Sequence, residues 1–384
     1  MEVTRPRVGL NAFPYVSRGT GIGRYVSSLY SHLLPLLKEE LGVDVFLYLC
    51  KDVSVDTLPG EVVILPFSGG QALLRNLYEQ MLLGRRLRRD CVDLYFSPDH
   101  KLPFGFDGRI SCVVVMHDLN PFRFGYKAYS PFRLLFWRTA VSYAVRRANR
   151  IIAVSESTKR DLLSLLSVPA WKVSVIYGGI DNRLLHCEGF DSSGEMIKVL
   201  GLPNEYFLFV GPIHPWKNFQ GALLAYHRFR AISGRSHALV VVGQVRRGFD
   251  REQRLIRRLG LEHHVRFLGY VDDEILWQIY RRATALLYVS LYEGFGFPVL
   301  EAMACGVPVI ASNVSSLPEV AGDAAVLVHP RRPADIADAL VRILEDRGFR
   351  EELVQRGLRR AKDFSWESAA RQILAIVKEL LEKA

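Results

Sequence analysis

Short, nearly unbroken apolar runs alternating with long helical repeats constrain this chain more than any other feature. "RVGLNAF" reads as a buried strand. It is followed by a glycine-rich turn and a helix with Val26, Leu29, Tyr30, Leu33 and Leu37 on one face. "VDVFLYLC", "VVIL", "VDLYFSP", "ISCVVVMHD", "RIIAVSE" and "KVSVIYGGID" read as further strands, with helical patterns between several of them. Strands apolar on both faces, joined through helices, predict an α/β chain whose parallel sheet is covered on both sides.

The alternation restarts after "GFDSSGEMIKVLGLPNE" with "YFLFVGP", "HALVVVGQ", "VRFLGY", "ALLYVS", "PVIAS" and "AAVLVHP". A length of 384 residues suits two such domains better than one, and the polar, glycine-bearing stretch around residues 189–205 is the expected boundary. With 49% apolar and 23% charged residues and no low-complexity segment, the chain is expected to fold throughout. In doubly wound sheets ligands bind beyond the carboxyl ends of the strands, so the loops there hold the candidate site residues.

The five cysteines (Cys50, Cys91, Cys112, Cys187, Cys305) are scattered and lack C-x-x-C spacing, against a disulfide framework or a zinc site. A reducing, cytoplasmic setting fits them. The opening "MEVTRPRVGL" lacks the apolar core of a signal peptide, and no apolar run reaches the ~18 residues of a membrane span. Charge is uneven: residues 1–180 hold 23 Lys and Arg against 15 Asp and Glu, a difference of +8 within a total of +10. Nucleic acid, an anionic membrane surface and a phosphorylated small molecule are all compatible with that excess.

"YEGFGFPVLE" places Glu293 and Glu301 around two glycines and a proline. A helix is expected to start at Pro298, with Glu293 in the preceding loop and Glu301 in the first turn. Gly294 and Gly296 let backbone approach a ligand, and the helix start attracts an anion such as diphosphate. A carboxylate close to phosphate repels it, so each glutamate is expected to turn toward hydroxyls, as one of two clamps on a nucleotide sugar. A solvated loop glutamate and a dipole-favoured first-turn glutamate are the plainer alternative.

"EGFGFPVLE", within "ALLYVSLYEGFGFPVLEAMACGVPVIASNVSSLPEVAGDAAVLVHP", resembles the E-x7-E motif of retaining glycosyltransferases of family 4, which have the GT-B fold. The likeness extends from "TGIGRYV" to "FSWESAA". It implies two Rossmann-like domains facing each other across a cleft: residues 1–195 on the acceptor side, 196–365 binding the nucleotide sugar, and a terminal helix, 366–384, returning to the first domain. It also implies that Glu301 holds the ribose hydroxyls and Glu293 the donor sugar. Backbone N–H groups around Phe295, Gly296 and Phe297 would lie near sugar and phosphate. The glutamates are then binders, without the flanking carboxylate pair of retaining glycosidases.

"FVGPIHPWKNFQGAL" places Lys217 and Asn218 in a loop opening the next helix, where a lysine can neutralise a departing diphosphate. Where the family commonly carries a second cation, this chain has Trp216 and Pro212. "CVVVMHDLNPF" ends a strand with His117 and Asp118. A histidine there can hydrogen-bond a substrate hydroxyl, and the resemblance puts it against the donor sugar. Asp118 also suits a turn cap. In "SRGTGIGRYV" the resemblance sets Gly21, Gly23 and Arg24 beside the donor phosphates, although a tight turn alone explains the glycines. Ser155, in "AVSESTKRDLL", suits a helix cap as well as a catalytic role.

No D-x-D occurs, and the histidines lack metal-ligand spacing, so a metal-independent transferase without a cofactor is expected. His214, His227 and His237 read as structural or surface residues. "ALLRNLYEQMLLGRRLRRD" and "FRFGYKAYSPFRLLFWR" interleave arginine with apolar residues. They suit a headgroup surface or a lipid-linked acceptor, or else a solvated face over a core of Leu134, Leu135 and Phe136. The expected activity is transfer of a hexose to a saccharide or lipid-linked saccharide acceptor on the cytoplasmic side of the membrane. Similarity to bacterial mannosyltransferases of polysaccharide assembly indicates mannose from GDP-mannose. A nucleotide-sugar epimerase of the same fold is the alternative, and a nucleic-acid-binding protein a remoter one, since no binding motif is present.

Overall fold

The computed structural model describes residues 5–14, 21–51, 61–65, 71–125, 129–186, 200–245 and 249–383, without the side chains of 72 and 73. Much of the expected boundary stretch, residues 189–199, and part of the glycine-rich turn, residues 17–20, lie outside the described residues. The chain divides into two units, residues 1–179 with 365–384, and residues 180–364.

The first unit carries seven strands: β1 (Arg7–Asn11), β2 (Asp44–Cys50), β3 (Glu61–Leu65), β4 (Leu94–Ser97), β5 (Ser111–Met116), β6 (Arg150–Ala153) and β7 (Val173–Val175). They form one sheet in the order β3-β2-β1-β4-β5-β6-β7, with every pair parallel. The order reverses between β1 and β4, so the loops beyond Asn11 and Ser97 flank a switch point, where open α/β sheets bind ligands. In the helix Gly21–Leu41, Val26, Leu29, Tyr30, Leu33 and Leu37 are all fully buried, as their spacing predicts. The helix Trp366–Leu381 packs against it, with the Tyr25 and Trp366 rings edge to face at 5.2 Å. A Cβ at Gly179 would stand 2.1 Å from Trp366 N, which only glycine avoids.

The second unit carries β8 (Tyr206–Val210), β9 (Ala238–Val242), β10 (Val265–Gly269), β11 (Ala285–Tyr288), β12 (Val309–Ser312) and β13 (Val326–Val328). Their order is β10-β9-β8-β11-β12-β13, again all parallel, with the switch point between β8 and β11. Each unit has its own apolar core. All the strands expected from the apolar runs are present. The inner ones are buried on both faces and so are written in consecutive apolar residues, while the outer strands β3, β7, β10 and β13 are partly exposed.

One local expectation is corrected. The helix after β11 spans Phe297–Ala304, capped by Gly296 at φ +117°, and Pro298 is its second residue rather than its first. Glu301 therefore opens the second turn instead of closing the first. Glycine sets that start, because φ +117° is open to it and strained for other residues.

Candidate active site

In the second unit, Lys217 approaches the switch point from the end of β8 and Glu293 from the end of β11. Lys217 Nζ lies 2.8 Å from Glu293 Oε1, at an angle that makes an ion pair without an aligned hydrogen bond. The same ammonium donates to the Tyr288 hydroxyl at 2.5 Å. Lys217 and Glu293 are each 11% exposed, so water screens them weakly. Burial holds the Tyr288 phenol well above its usual range, and the adjacent Glu293 carboxylate adds to the effect, so the hydroxyl stays neutral.

Two glycines create the room for this arrangement. A Cβ on Gly211, at φ +128°, would press on Lys217 Cε at 3.3 Å. A Cβ on Gly243, at φ +142°, would stand 2.4 Å from the Gly211 carbonyl oxygen. The Glu293 loop is held from behind by the loop after β12. Glu293 N donates to Ser315 Oγ at 2.9 Å, and Ser316 Oγ, with its one proton, donates to the Phe295 carbonyl at 2.6 Å with the Glu293 carbonyl 3.0 Å away. Phe295 is buried and packs edge to face with Phe297 at 4.8 Å. Glu301 is 5% exposed and its Oε2 accepts from the Tyr280 hydroxyl at 3.1 Å.

Asn218 adjoins Lys217, but its side chain goes elsewhere. At φ +57° it turns its amide to the carbonyls of Val289 at 2.9 Å and Pro330 at 2.7 Å. Both Nδ2 protons are thereby committed to holding loops. Trp216 stacks on His214 with ring centroids 4.1 Å apart, so the position of the family's second cation holds an aromatic pair.

In the first unit, His117 follows β5 and its Nε2–H donates to the Pro98 carbonyl at 2.8 Å, which leaves Nδ1 as the acceptor. The Tyr25 ring meets it edge to face at 4.7 Å and the His100 ring lies at 5.2 Å. Burial, then the charge on His100, push the imidazole down to about 4, against the opposing Pro98 carbonyl, Asp99 and Asp118. It is therefore neutral at pH 7. Tyr25 belongs to the helix that begins at Gly21, which brings that helix beside His117. A Cβ at Gly21 would meet nothing within 4 Å, so packing does not require that glycine. Gly23 is buried and Arg24 half-buried in the same turn. Asp118 Oδ1 accepts from Asn120 N at 2.9 Å, making a turn cap. Ser155 Oγ accepts from Thr158 N at 3.0 Å, capping the helix Glu156–Leu166.

The sequence matches the model of Glycosyltransferase Family 4 over residues 19–184 and that of Glycosyl transferases group 1 over residues 195–360. It is 32% identical over 324 residues to O-antigen chain mannosyltransferase B of Escherichia coli, covering 83% of each chain. The chain belongs to glycosyltransferase family 4. Among solved structures, sucrose-phosphate synthase from Thermosynechococcus elongatus matches with a TM-score of 0.75 at 20% identity, covering 99% of this chain and 100% of that one. Anabaena Alr3699/HepE in complex with UDP and glucose gives 0.72 at 20% identity, covering 98% and 100%. These likenesses establish the GT-B fold.

This family 4 glycosyltransferase also holds residues near its switch points that local sequence patterns pass over. Tyr288 and Tyr280 read as strand and helix core. On the helix Ala72–Met81, Glu79 is 3% exposed and pairs with Lys101 at 2.9 Å while accepting from Asn11 Nδ2 at 3.0 Å. Lys101 also lies 3.3 Å from Asp99, and these charges raise its pKa despite burial. Asn11 ends β1 and Lys101 follows β4, so one carboxylate ties both sides of the first switch point. The available signal is a lone glutamate on the face opposite Leu74 and Leu77. Among the described residues no three His, Cys, Asp or Glu side chains group as metal ligands.

Proposed function

We propose that this glycosyltransferase moves mannose from GDP-mannose to a saccharide or lipid-linked saccharide, with retention at the anomeric carbon and without a divalent metal. The observation carrying this reading is the Lys217–Glu293 pair at the switch point between β8 and β11. A mobile diphosphate leaving group requires a cation, and Lys217 supplies one. Glu293, released from Lys217 as phosphate takes its place, accepts from the sugar hydroxyls. Glu301, on the adjacent helix, accepts from the ribose. Asn218 supports the loop rather than the donor.

In the transfer step the bond from the anomeric carbon to the diphosphate oxygen breaks as the acceptor oxygen approaches from the same face, and the acceptor proton passes to the departing phosphate. Lys217 stabilises the charge that develops there. His117, being neutral, offers Nδ1 to a sugar hydroxyl rather than a proton to the leaving group. The donor sugar rests on the mannosyltransferase named above, and a nucleotide diphosphate with a hexose on the UDP and glucose bound by Alr3699/HepE. The epimerase alternative gains no support from these matches. The thiols Cys91 and Cys112 are free, which supports a reducing, cytoplasmic setting, and the basic charge of the first unit supports the inner membrane surface. No helix among the described residues is long and apolar enough to cross a membrane.

The test is a panel of nucleotide sugars incubated with purified protein and a chelator. Turnover of GDP-mannose to an α-linked product supports the reading. Neither binding nor turnover with any donor defeats it, and a changed sugar configuration with donor alone establishes an epimerase.

A further inference from the structure

The helix Ala72–Met81 is amphipathic in the inverted sense. Its polar residues Glu79 and Gln80 are each 3% exposed, whereas Leu74, Leu77 and Met81 are 51%, 52% and 62% exposed. Spacing of three and four residues puts those apolar side chains in one outward stripe. Single exposed apolar residues are ordinary, but a helix that buries its carboxylate and presents its leucines to solvent is not.

A second exposed apolar pair lies on the same side of the sheet. Phe132 is 85% and Leu135 67% exposed at the start of the helix Pro131–Arg147, while Leu134 between them is buried. Both helices rest on the segment 101–106, through Phe104 N to Gln80 O at 2.8 Å and Phe106 N to the Tyr143 hydroxyl at 2.9 Å, and share one apolar core.

Charge identifies what would cover this face. Residues 71–150 hold 14 Lys and Arg against 6 Asp and Glu, a difference of +8. The helix Leu83–Arg89 continues from the apolar stripe and exposes Arg85, Arg88 and Arg89, none paired with a carboxylate among the described residues. An apolar stripe bordered by unneutralised arginines matches a bilayer surface, where acyl boundary and anionic headgroups lie side by side.

We propose that the face formed by Leu74, Leu77, Met81, Phe132 and Leu135, with the arginines 85, 88 and 89, docks on an anionic phospholipid bilayer. The surface stands on exposure and charge alone, and it deepens the lipid-linked acceptor of the proposed function without depending on the donor. Membrane docking is read by vesicle binding, so its failure and the failure of the transfer reading are separately visible.

The experiment is flotation of the full chain with vesicles of phosphatidylethanolamine and phosphatidylglycerol, against vesicles of phosphatidylcholine. Binding to the anionic vesicles that weakens with salt is expected. Replacing Arg85, Arg88 and Arg89 by serine lowers the partition on the order of a hundredfold, at about fivefold per arginine. Leu77→Ser with Met81→Ser lowers it too, and Phe132→Ser repeats the apolar test at a position where little packing is lost. Unchanged thermal unfolding in each variant assigns the loss to the surface. Absence of binding to anionic vesicles overturns the proposal, as does binding that survives all these variants. A dimer that Leu77→Ser with Met81→Ser dissolves, or salt-sensitive DNA binding without vesicle binding, overturns it in favour of a second copy or nucleic acid.

Discussion

Lys217 and Glu293 stand 76 positions apart in sequence yet 2.8 Å apart in space, with the Tyr288 hydroxyl 2.5 Å from the same ammonium. The pair satisfies both charges where water screens poorly, and it is also what a diphosphate must break to reach the lysine. Lys217→Ala is expected to reduce kcat by about 10²–10³, the usual cost of removing one transition-state charge partner. Steady-state kinetics on GDP-mannose checks this. A kcat within a few-fold of the parent would leave Lys217 as a structural partner of Glu293.

Glu293→Gln keeps the shape of the side chain and removes the charge that Lys217 holds. Free GDP is expected to bind as tightly as to the parent or more so, because the lysine no longer has to exchange one anion for another, while transfer falls. Glu301→Ala is expected to do the reverse, weakening GDP itself by about 1.5–3 kcal/mol through loss of hydrogen bonds to a charged acceptor. Titration calorimetry with GDP separates the two. Equal losses in both variants would remove the division between a sugar clamp and a ribose clamp.

The apolar runs made both sheets legible, since the inner strands, buried along almost their whole length, leave an unmistakable local pattern, and the partly exposed outer strands β3, β7, β10 and β13 keep enough apolar residues to be read beside them. The glutamates around "EGFGFPVLE" were legible for a related reason: glycines and a proline mark the loop and the helix start in the sequence itself. Asn218 was not. It neighbours Lys217, but its φ of +57° swings the amide to Val289 and Pro330, 71 and 112 positions away. Glu79 was hidden likewise, because its partners Asn11 and Lys101 lie 68 and 22 positions off and meet only when β1 and β4 pair. Side-chain roles set by non-local closure have no local signature.

Glycines can now be sorted by what they do. Gly243→Ala puts a methyl 2.4 Å from the Gly211 carbonyl at φ +142°, and is expected to cost about 1–3 kcal/mol in strain or more. Gly21 has neither constraint, so Gly21→Ala is expected to leave the denaturant midpoint unchanged or slightly raised. A Gly21→Ala variant with unaltered stability and reduced kcat/KM would show backbone approach to a ligand. Unaltered kcat/KM would make the glycine a turn residue only.

His117 gives the fold a pH dependence of definite sign. Burial and the neighbouring His100 push its imidazole down to about 4, from an ordinary value near 6.5. As pH falls through 6.5 the unfolded chain takes up this proton first, so stability rises with pH across the interval. The contribution of His117 is full above about 6.5 and lost as pH falls through about 4, amounting to about 1–3 kcal/mol for a ring that keeps some contact with solvent. His117→Gln has no proton to gain, so the stability difference between parent and variant is expected to be flat above pH 6.5 and to shift in the variant's favour below it. Urea midpoints between pH 4 and 7 measure this. A difference that stays flat all the way down to pH 4 would mean that the ring titrates alike in the folded and unfolded chain, as an exposed histidine does, and its neutral form could not then be assigned to the sugar hydroxyl.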